Sequence, residues 1–577
     1  MRQSLPYLSL LLAAGAVAQS GSGLSESSLE KHKDATTLSH SFNPIIPAYW
    51  TGYPHHRRTP FAVSPDGGSA YLAYLDSSGT GVHIQKINPT TFAAVGAAVT
   101  ISTGKEAGGL VAHNDGFAIL TNEVSSSSGS TIPIPVIYRF KNGQQAWKTY
   151  IGGRNVDSDG ANASPDINGD LVFSEKAGYY AAYIVVTAYE GWASGHFGDA
   201  IRYLDTDGNI KNIAGASSSW GCSHNTGIAF EAADSAPFAS ICAEDQGAIW
   251  LNTKGQGMST AGVKISNEVT INGGSNEPMG GMGGSYSALA RFIGQDSYIF
   301  SWVSRGAKDL TLNEWMGKGY TKSQKRTNNR NVAIALFSDK NTIVGQQATS
   351  QVGAADGDSQ MRWVTEGSND CSNAHAAAFD GSNALITWEE IQNPVCDFEA
   401  MGCKGQFAGT FYQLIDNKGQ KIGSPVKSTD SFVAGDMVSM TDGRICWPYV
   451  SMTWDLSGPA RSTSSTTKMS FACMSRGSGG STTPSQSSSA SSAASPTSPP
   501  AVSSTSANAG AEPTVPTTTD AVVAPSEPAA QPEDPAETTA VSSADEQVAE
   551  PTSIADSNLR APPSHPLRDP GQHYHCR

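Results

Sequence analysis

The 577-residue chain lacks the motifs that mark several large classes of enzyme. It has no G-x-S-x-G elbow, no H-E-x-x-H pair and no G-x-x-x-x-G-K-[ST] loop, so serine hydrolase, zinc protease and P-loop nucleotidase functions have no support. No two cysteines stand in C-x-x-C spacing, which argues against a structural zinc site. We therefore expect neither a metal nor another cofactor.

Positive charge and long apolar runs are also scarce. Asp and Glu outnumber Lys and Arg by 52 to 37, and no basic stripe carries interleaved aromatics, so we expect no nucleic-acid partner. The first residues read as a leader: Arg2 is followed by the apolar stretch Leu5 to Val17 and by a small-residue cleavage site at Ala18. This pattern predicts a signal peptide over residues 1–18. No later window is long enough to cross a membrane, so we expect a secreted, extracellular or cell-wall-associated protein without a membrane anchor.

Aromatic residues nearly vanish after residue 475. Residues 476–577 are rich in Ser, Thr, Pro and Ala with scattered acids, and so few apolar groups cannot offset the chain entropy that folding removes. We predict a disordered tail, and tracts of this composition in exported proteins are typical carriers of O-linked sugars. The last residues, HPLRDPGQHYHCR, are polar, so no lipid-anchor signal is expected there.

The chain does contain a repeat: a strand of small residues, a polar turn and a second apolar strand recur seven times. Further alternating apolar strands around Asp-Gly or Asn-Gly turns follow most copies, which is a hairpin signal. Units of this period bury their apolar faces only against one another. We therefore predict an all-β, seven-bladed β-propeller over residues 43–475. Residues 19–42 precede it, and Thr36 to Phe42 are expected to complete the seventh blade and close the ring. The copies begin near Arg57, Gly108, Asp166, Ser223, Ser285, Ala374 and Gly435.

Eight cysteines in an exported chain indicate disulfides. Neighbouring strands of the fourth and seventh blades predict the pairs Cys222–Cys242 and Cys446–Cys473. Three more cysteines cluster around the sixth blade, and two of them are expected to pair: Cys371, Cys396 and Cys403. The usable N-glycosylation sequon begins at Asn162.

The segment from residue 195 to residue 253 resembles the same region of secreted β-propeller proteins of fungi and myxobacteria. Its most specific element is Trp220-Gly221-Cys222-Ser223-His224, preceded by a turn with His196, Gly198 and Asp199. The resemblance spans most of the repeats and implies the fold and export, but no reaction. At the level of fold, the chain is also similar to seven-bladed polysaccharide lyases and glycosidases, which use His and Arg near the propeller axis.

In a propeller, the starts of first strands and the ends of second strands meet on one face, around the axis. Imidazole can act as an acid or base near neutral pH, and arginine can clamp a carboxylate. The catalytic candidates at these positions are therefore His224, His375, Arg57 and Arg58. The ligand-binding candidates are His56, Tyr286, Glu123, Glu389 and Asp436.

Three functions remain open at this point. The first is binding of a glycan or a cell-wall or surface ligand at the axial face. The second is a polysaccharide-active enzyme, a lyase or glycosidase that acts on an acidic sugar through axial His and Arg. The third is a structural wall or matrix protein. A lyase needs a base and a cation that neutralises the uronate, whereas a binder needs only stacking aromatics and hydrogen-bonding groups.

Overall fold

The computed structural model describes residues 23–47, 52–125, 132–156, 162–163, 169–187, 197–218, 223–244, 248–253, 262–268, 286–308, 324–348, 361–396, 403–460 and 464–476. Within these ranges the protein is all-β apart from one 3-10 turn at Glu26–Ser28. Seven antiparallel sheets form the blades of a propeller, which confirms the predicted fold class. No helix in the described ranges is long and apolar enough to cross a membrane.

The blades are numbered in chain order, and the strands of each are given from the axis outward. Blade one consists of Phe61–Val63, Ala70–Leu75, Val82–Ile87 and Val99–Ile101. Blade two consists of Ala107–His113, Gly116–Glu123, Ile134–Lys141 and Gln144–Tyr150. Blade three consists of Asp170–Ser174, Tyr179–Thr187, Phe197–Asp205 and Ile210–Lys211, and Asn162–Ala163 also pairs with its second strand. Blade four consists of Ser223–Glu231, Ala239–Glu244, Ala248–Leu251 and Val263–Asn267.

Blade five consists of Leu289–Arg291, Tyr298–Ser304, Asn331–Asp339 and Thr342–Ile343, and Arg362–Trp363 also pairs with its third strand. Blade six consists of Asp370–Ala378, Asn383–Val395, Lys404–Asp416 and Lys421–Ser428. Blade seven consists of Val438–Ser439, Ile445–Tyr449, Thr466–Met474 and Leu29–Phe42. Two short ladders lie outside the blades: Ile45–Pro47 with Pro54–His56, and Ala307–Lys308 with Gln324–Lys325.

The ring closes through the N-terminal strand Leu29–Phe42, which pairs antiparallel with Thr466–Met474 as the outer strand of blade seven. This strand contains the expected segment Thr36 to Phe42 and begins seven residues before it. Blade seven also joins blade one at the axis, where the Thr59 amide donates to the Ala434 carbonyl at 3.0 Å. The two ends of the repeat region are thereby held together, and the seam has no open sheet edge.

Small residues let the inner strands approach closely at the axis. A Cβ on Gly109 would lie 2.1 Å from the Leu171 nitrogen, and one on Gly435 would lie 2.3 Å from the Thr59 carbonyl oxygen. Only glycine allows such contacts without backbone movement. Farther from the axis, large apolar side chains fill the space within and between blades, and Trp447 is fully buried there.

Cysteine pairing follows strand adjacency. Cys446 and Cys473 lie opposite each other on the second and third strands of blade seven and form a disulfide. Cys396 and Cys403 form another disulfide near blade six, and Cys371 is a buried free thiol. Cys242 is disulfide-bonded, whereas Cys222 lies outside the described residues. Disulfides of this kind fit an oxidising, extracellular compartment.

Candidate functional site at the propeller axis

The centre of the candidate site is a buried pair formed by His56 and Glu389. The His56 Nε2 atom lies 2.7 Å from Glu389 Oε1, and each side chain is 2% exposed. Trp454 donates from its indole nitrogen to Glu389 Oε2 at 3.0 Å, and its ring stacks on the His56 ring at 3.9 Å. Because a carboxylate only accepts hydrogen bonds, the proton between the pair belongs to His56 Nε2.

Asn373 holds Glu389 from the inner strand of blade six. The register of this strand shifts between Ser372 and His375, and Asn373 lies in the left-handed region with φ 52°. Asparagine tolerates this conformation better than most residues. Its amide nitrogen donates to Glu389 Oε1 at 3.2 Å and to the Val433 carbonyl at 2.9 Å. The bulge therefore links blades six and seven at the site.

His375 and Tyr286 form a second buried pair beside Asn373. The His375 Nδ1 atom lies 2.7 Å from the Tyr286 carbonyl oxygen, its Nε2 atom lies 2.9 Å from Asn373 Oδ1, and the two rings stack at 4.6 Å. Burial lowers the pKa of His375 to about 4, so the imidazole is neutral at neutral pH. Burial also raises the pKa of the Tyr286 hydroxyl above its ordinary value.

A small cleft of about 40 Å³ opens beside the His56–Glu389 pair. This volume holds about one water-sized group. His56 lines this cleft, and its Nδ1 atom is buried and has no hydrogen-bond partner among the described residues. The cleft is lined chiefly by Tyr53, His55, His56, Arg330, Asn373, Glu389 and Trp454.

Arg58 fills the axis itself. Its Nη2 atom lies 2.7 Å from Asp436 Oδ1 and 2.9 Å from Asp170 Oδ1, and its guanidinium lies 5.3 Å from the centre of the Tyr286 ring. Burial alone would lower the pKa of Arg58, but Asp436 and Asp170 outweigh it and raise that pKa. The cluster joins blade one to blades three, five and seven, and places two carboxylates against one guanidinium.

A second cavity, of about 280 Å³, begins at this cluster and is lined by inner-strand residues of all seven blades. Apolar side chains line part of it, for example Phe61, Leu289 and Val438. Three carboxyl residues also line it: Asp170, Glu231 and Asp436. Burial raises the pKa of Asp436 to about 6 and that of the half-buried Glu231 to about 7. Both groups therefore titrate near neutral pH.

The structure separates the predicted site residues into two sets. Six of them come together at the axis: His56, Arg58, Tyr286, His375, Glu389 and Asp436. Arg57 instead turns away, toward Glu106 at 3.0 Å and the Asn43 carbonyl. Glu123 ends the second strand of blade two, where it pairs with Lys148 of the fourth strand and accepts from Tyr138 of the third at 2.6 Å. Neither Arg57 nor Glu123 belongs to the axial cluster.

Two other predicted residues, His224 and Asn162, have side chains outside the described residues. The backbone of His224 lies in the inner strand Ser223–Glu231, but its side chain is outside the described residues. Asn162 begins the two-residue strand beside blade three, and its side chain is likewise outside them. The glycosylation of Asn162 therefore stays a prediction.

Four contributors to the site were not among the predicted residues: Asn373, Trp454, Asp170 and Arg330. Trp454 follows the second strand of blade seven, and Asp170 begins the inner strand of blade three, so both stand at positions that face the site. Arg330 lies just before the third strand of blade five and pairs with buried Asp370 at 2.6 Å. The position of Asn373 depends on a bulge that no local pattern marks.

Among the described residues, one group has metal-compatible spacing: Asp370, Cys396 and Cys403. Its two cysteines are joined as a disulfide, so they offer no thiolate ligand. This group does not fit a metal ion.

No protein-family model matches the chain, and no curated protein matches it. Among solved structures it is similar to a GH43 β-1,3-galactosidase, with 14% identity and a TM-score of 0.19 over 27% of this chain and 45% of that one. It is similar to a PL25 ulvan lyase, with 10% identity and a TM-score of 0.31 over 72% and 80% of the two chains. It is also similar to a Penicillium chrysogenum α-L-arabinanase, with 9% identity and a TM-score of 0.31 over 76% and 98%. At these scores the similarities carry no argument about activity, and the chain spans less than half of the galactosidase.

Proposed function

We propose that this protein is a secreted glycan-binding propeller that recognises a hydroxyl group of its ligand in the axial cleft. The observation that carries the proposal is that His56, a residue lining the cleft, has a buried Nδ1 atom without a hydrogen-bond partner among the described residues. A buried polar atom without a partner costs roughly 1–3 kcal/mol, and a ligand that supplies the partner recovers that cost. We therefore assign His56 Nδ1 as the atom that binds the hydroxyl group of the ligand.

The chemistry of the missing partner follows from the imidazole. With the Nε2 proton donated to Glu389, Nδ1 accepts a hydrogen bond in the neutral ring and donates one in the imidazolium. A hydroxyl group donates one hydrogen bond and accepts others, and sugars present hydroxyl groups in abundance. Tyr53, an aromatic residue that also lines the cleft, adds apolar surface to this polar group, a combination typical of small-molecule sites.

The test is a glycan array on the full secreted chain, followed by calorimetry with the best ligand. His56→Ala should weaken binding by roughly tenfold, the value of one well-placed hydrogen bond. His83→Ala is the matched control, because His83 is 2% exposed and hydrogen-bonded to Asp76 and Thr100 but lies in blade one, away from the cleft. Equal losses in both variants, or no glycan bound at all, would contradict the proposal.

A glycosidase is the second candidate, because one observation favours it. Glu231 and Asp436, whose pKa values burial raises to about 7 and about 6, line the larger axial cavity. Glycoside hydrolysis uses a pair of carboxyl groups, one protonated as the general acid. Glu231→Gln should then abolish sugar release from a polysaccharide panel, whereas a binder releases no sugar with either protein.

The lyase form of the enzyme hypothesis has less support. A lyase that acts on uronates needs a cation to neutralise the sugar carboxylate. Arg58 already faces Asp170 and Asp436, and Arg330 already faces Asp370. Neutral His375 has the ionisation of a base, but its two nitrogens already lie against protein oxygens, the Tyr286 carbonyl at 2.7 Å and Asn373 Oδ1 at 2.9 Å. Ultraviolet absorbance of unsaturated products would detect a lyase directly.

A further inference from the structure

We infer that the axial cleft recognises one unsubstituted hydroxyl group and excludes, by size, the same group when it carries an acetyl or a larger substituent. This inference rests on the proposed glycan-binding function and narrows its ligand class to glycans in which that position is free. Three features of the cleft support it: its small volume, the fixed side chains on its polar side and the packed core on its apolar side.

The first feature is the volume of the cleft. It measures about 40 Å³, little more than the roughly 30 Å³ that one water molecule occupies in the liquid. A hydroxyl group has about the size of a water molecule, whereas an acetyl ester adds a carbonyl and a methyl group to the same oxygen. The described side chains therefore leave room for the hydroxyl group and not for the ester.

The second feature is that the polar side of the cleft is fixed. The His56 Nε2 atom lies 2.7 Å from Glu389 Oε1, and the Trp454 ring stacks on the His56 ring while its indole nitrogen donates to Glu389 Oε2. Asn373 donates to Glu389 and to the Val433 carbonyl. Movement of any of these side chains to enlarge the cleft would break a hydrogen bond or a ring contact of the site, which opposes such movement.

The third feature is that the apolar side of the cleft belongs to the hydrophobic core of blades six and seven. Ile391 and Leu456 line the cleft and also pack in this core. A Cβ on Gly405 would lie 2.6 Å from Ile391 Cγ2, so the third strand of blade six lies directly against this side chain. The Gly405 amide donates to the Leu456 carbonyl at 2.9 Å. Because a packed core has little free volume, this side of the cleft does not move aside for a larger group.

A hydroxyl group suits the open position in either protonation state of His56. It donates a hydrogen bond to Nδ1 of the neutral ring, and it accepts one from Nδ1 of the imidazolium. An acetyl ester offers acceptors only, so with the neutral ring it loses the hydrogen bond as well as the fit. Selection by size therefore does not depend on the charge of the cleft.

The experiment uses cellohexaose, xylohexaose, β-1,4-mannohexaose and β-1,4-galactohexaose, each unmodified, deoxygenated at one hydroxyl position of every sugar unit, or O-acetylated at that position. Binding to the full secreted chain is measured by calorimetry at neutral pH. At one position of a bound hexasaccharide, the deoxy derivative should bind roughly tenfold more weakly, the value of one hydrogen bond. The acetyl derivative at that position should bind roughly tenfold more weakly again, because it does not fit. If acetylation is tolerated at every position, or weakens binding no more than deoxygenation does, the inference is overturned and glycan binding stays intact. If no unmodified hexasaccharide binds, both are overturned.

Variants locate the size limit at Ile391. Ile391→Ala enlarges the cleft and should improve binding of the acetyl derivative relative to the deoxy derivative by roughly threefold or more. Ile386→Ala is the matched control, since Ile386 is a buried isoleucine of the same strand that packs between blades five and six, and it should leave this ratio unchanged. A wild-type ratio in Ile391→Ala would refute the assignment of Ile391. If that variant does not fold, as judged by its thermal melt, the smaller change Ile391→Val replaces it, and the wild-type derivatives still decide whether size is read.

Discussion

Replacement of Arg58 by Met should destabilise the propeller more than any other single charge deletion at the axis. The guanidinium is 11% exposed and faces two carboxylates, Asp436 and Asp170, which are 14% and 15% exposed. Removal of one partner from a buried ion pair costs about 3–5 kcal/mol, because it leaves the other charge buried without compensation. Here two like charges would be left together, so we expect the upper part of this range.

The assay is urea unfolding of wild type and Arg58→Met, followed by intrinsic fluorescence. Asp436 already has a pKa of about 6, above its ordinary value, and loss of Arg58 raises it further. A carboxyl group with a raised folded pKa stabilises the protein below its unfolded pKa, and this contribution is lost as the pH rises through the folded value. The defect of Arg58→Met should therefore be largest at neutral pH and shrink toward pH 5.

Two comparisons make this prediction refutable. Arg57→Met removes the adjacent arginine, which pairs with one carboxylate at a more exposed position, and should cost clearly less. The triple variant Arg58→Met, Asp170→Asn, Asp436→Asn removes all three charges and should recover most of the loss. If the triple variant is no more stable than Arg58→Met, the argument from uncompensated charge is wrong.

Two further predictions concern stability. The His375 pKa of about 4 means that the unfolded chain, with an ordinary value near 6.5, takes up the proton first as the pH falls. Between pH 6.5 and pH 4, the free energy of unfolding of wild type should thus fall by about 3 kcal/mol more than that of His375→Gln. Urea titration of both proteins at each pH measures this. If the difference in unfolding free energy between the two proteins does not change with pH, the buried imidazole is not neutral. Loss of the Cys446–Cys473 disulfide, whose cysteines are 27 residues apart, should cost about 3–4 kcal/mol in a Cys446→Ser, Cys473→Ser variant; a change below about 1 kcal/mol would show that the ring alone restrains these strands.

The fold could be predicted because its signal is repeated. A single hairpin of small and apolar residues is ambiguous, but seven copies with the same order of strand and turn are compatible with few architectures. Ring closure by Leu29–Phe42 follows for the same reason, since the last repeat lacks an outer strand that the N-terminal segment can supply. Cys446 and Cys473 could be placed opposite each other once the strands were assigned.

Candidate site residues could be predicted in part because propeller geometry brings the same strand ends together from every blade. That rule predicted both His375 and Tyr286 on the axial face. In the structure they are in contact, although they are 89 residues apart. It did not identify Arg330 or Trp454, because these side chains reach the site from the connection before the third strand of blade five and from a connection in blade seven. Such contributions depend on the shape of the assembled ring rather than on a position within a repeat.

Two pairs of adjacent residues show what decides membership of the site. Arg58 reaches the axis while Arg57 pairs with Glu106, and Glu389 faces His56 while Glu390 binds Asn369 and the Trp388 indole on the other side of the strand. Glu389 and Glu390 lie in the strand Asn383–Val395, where successive side chains point to opposite faces, so a shift of one residue in register would exchange their roles. Because both residues are glutamates, the sequence alone does not distinguish them. The pairing of this strand with its neighbour, including the bulge at Asn373, determines which of the two glutamates faces His56.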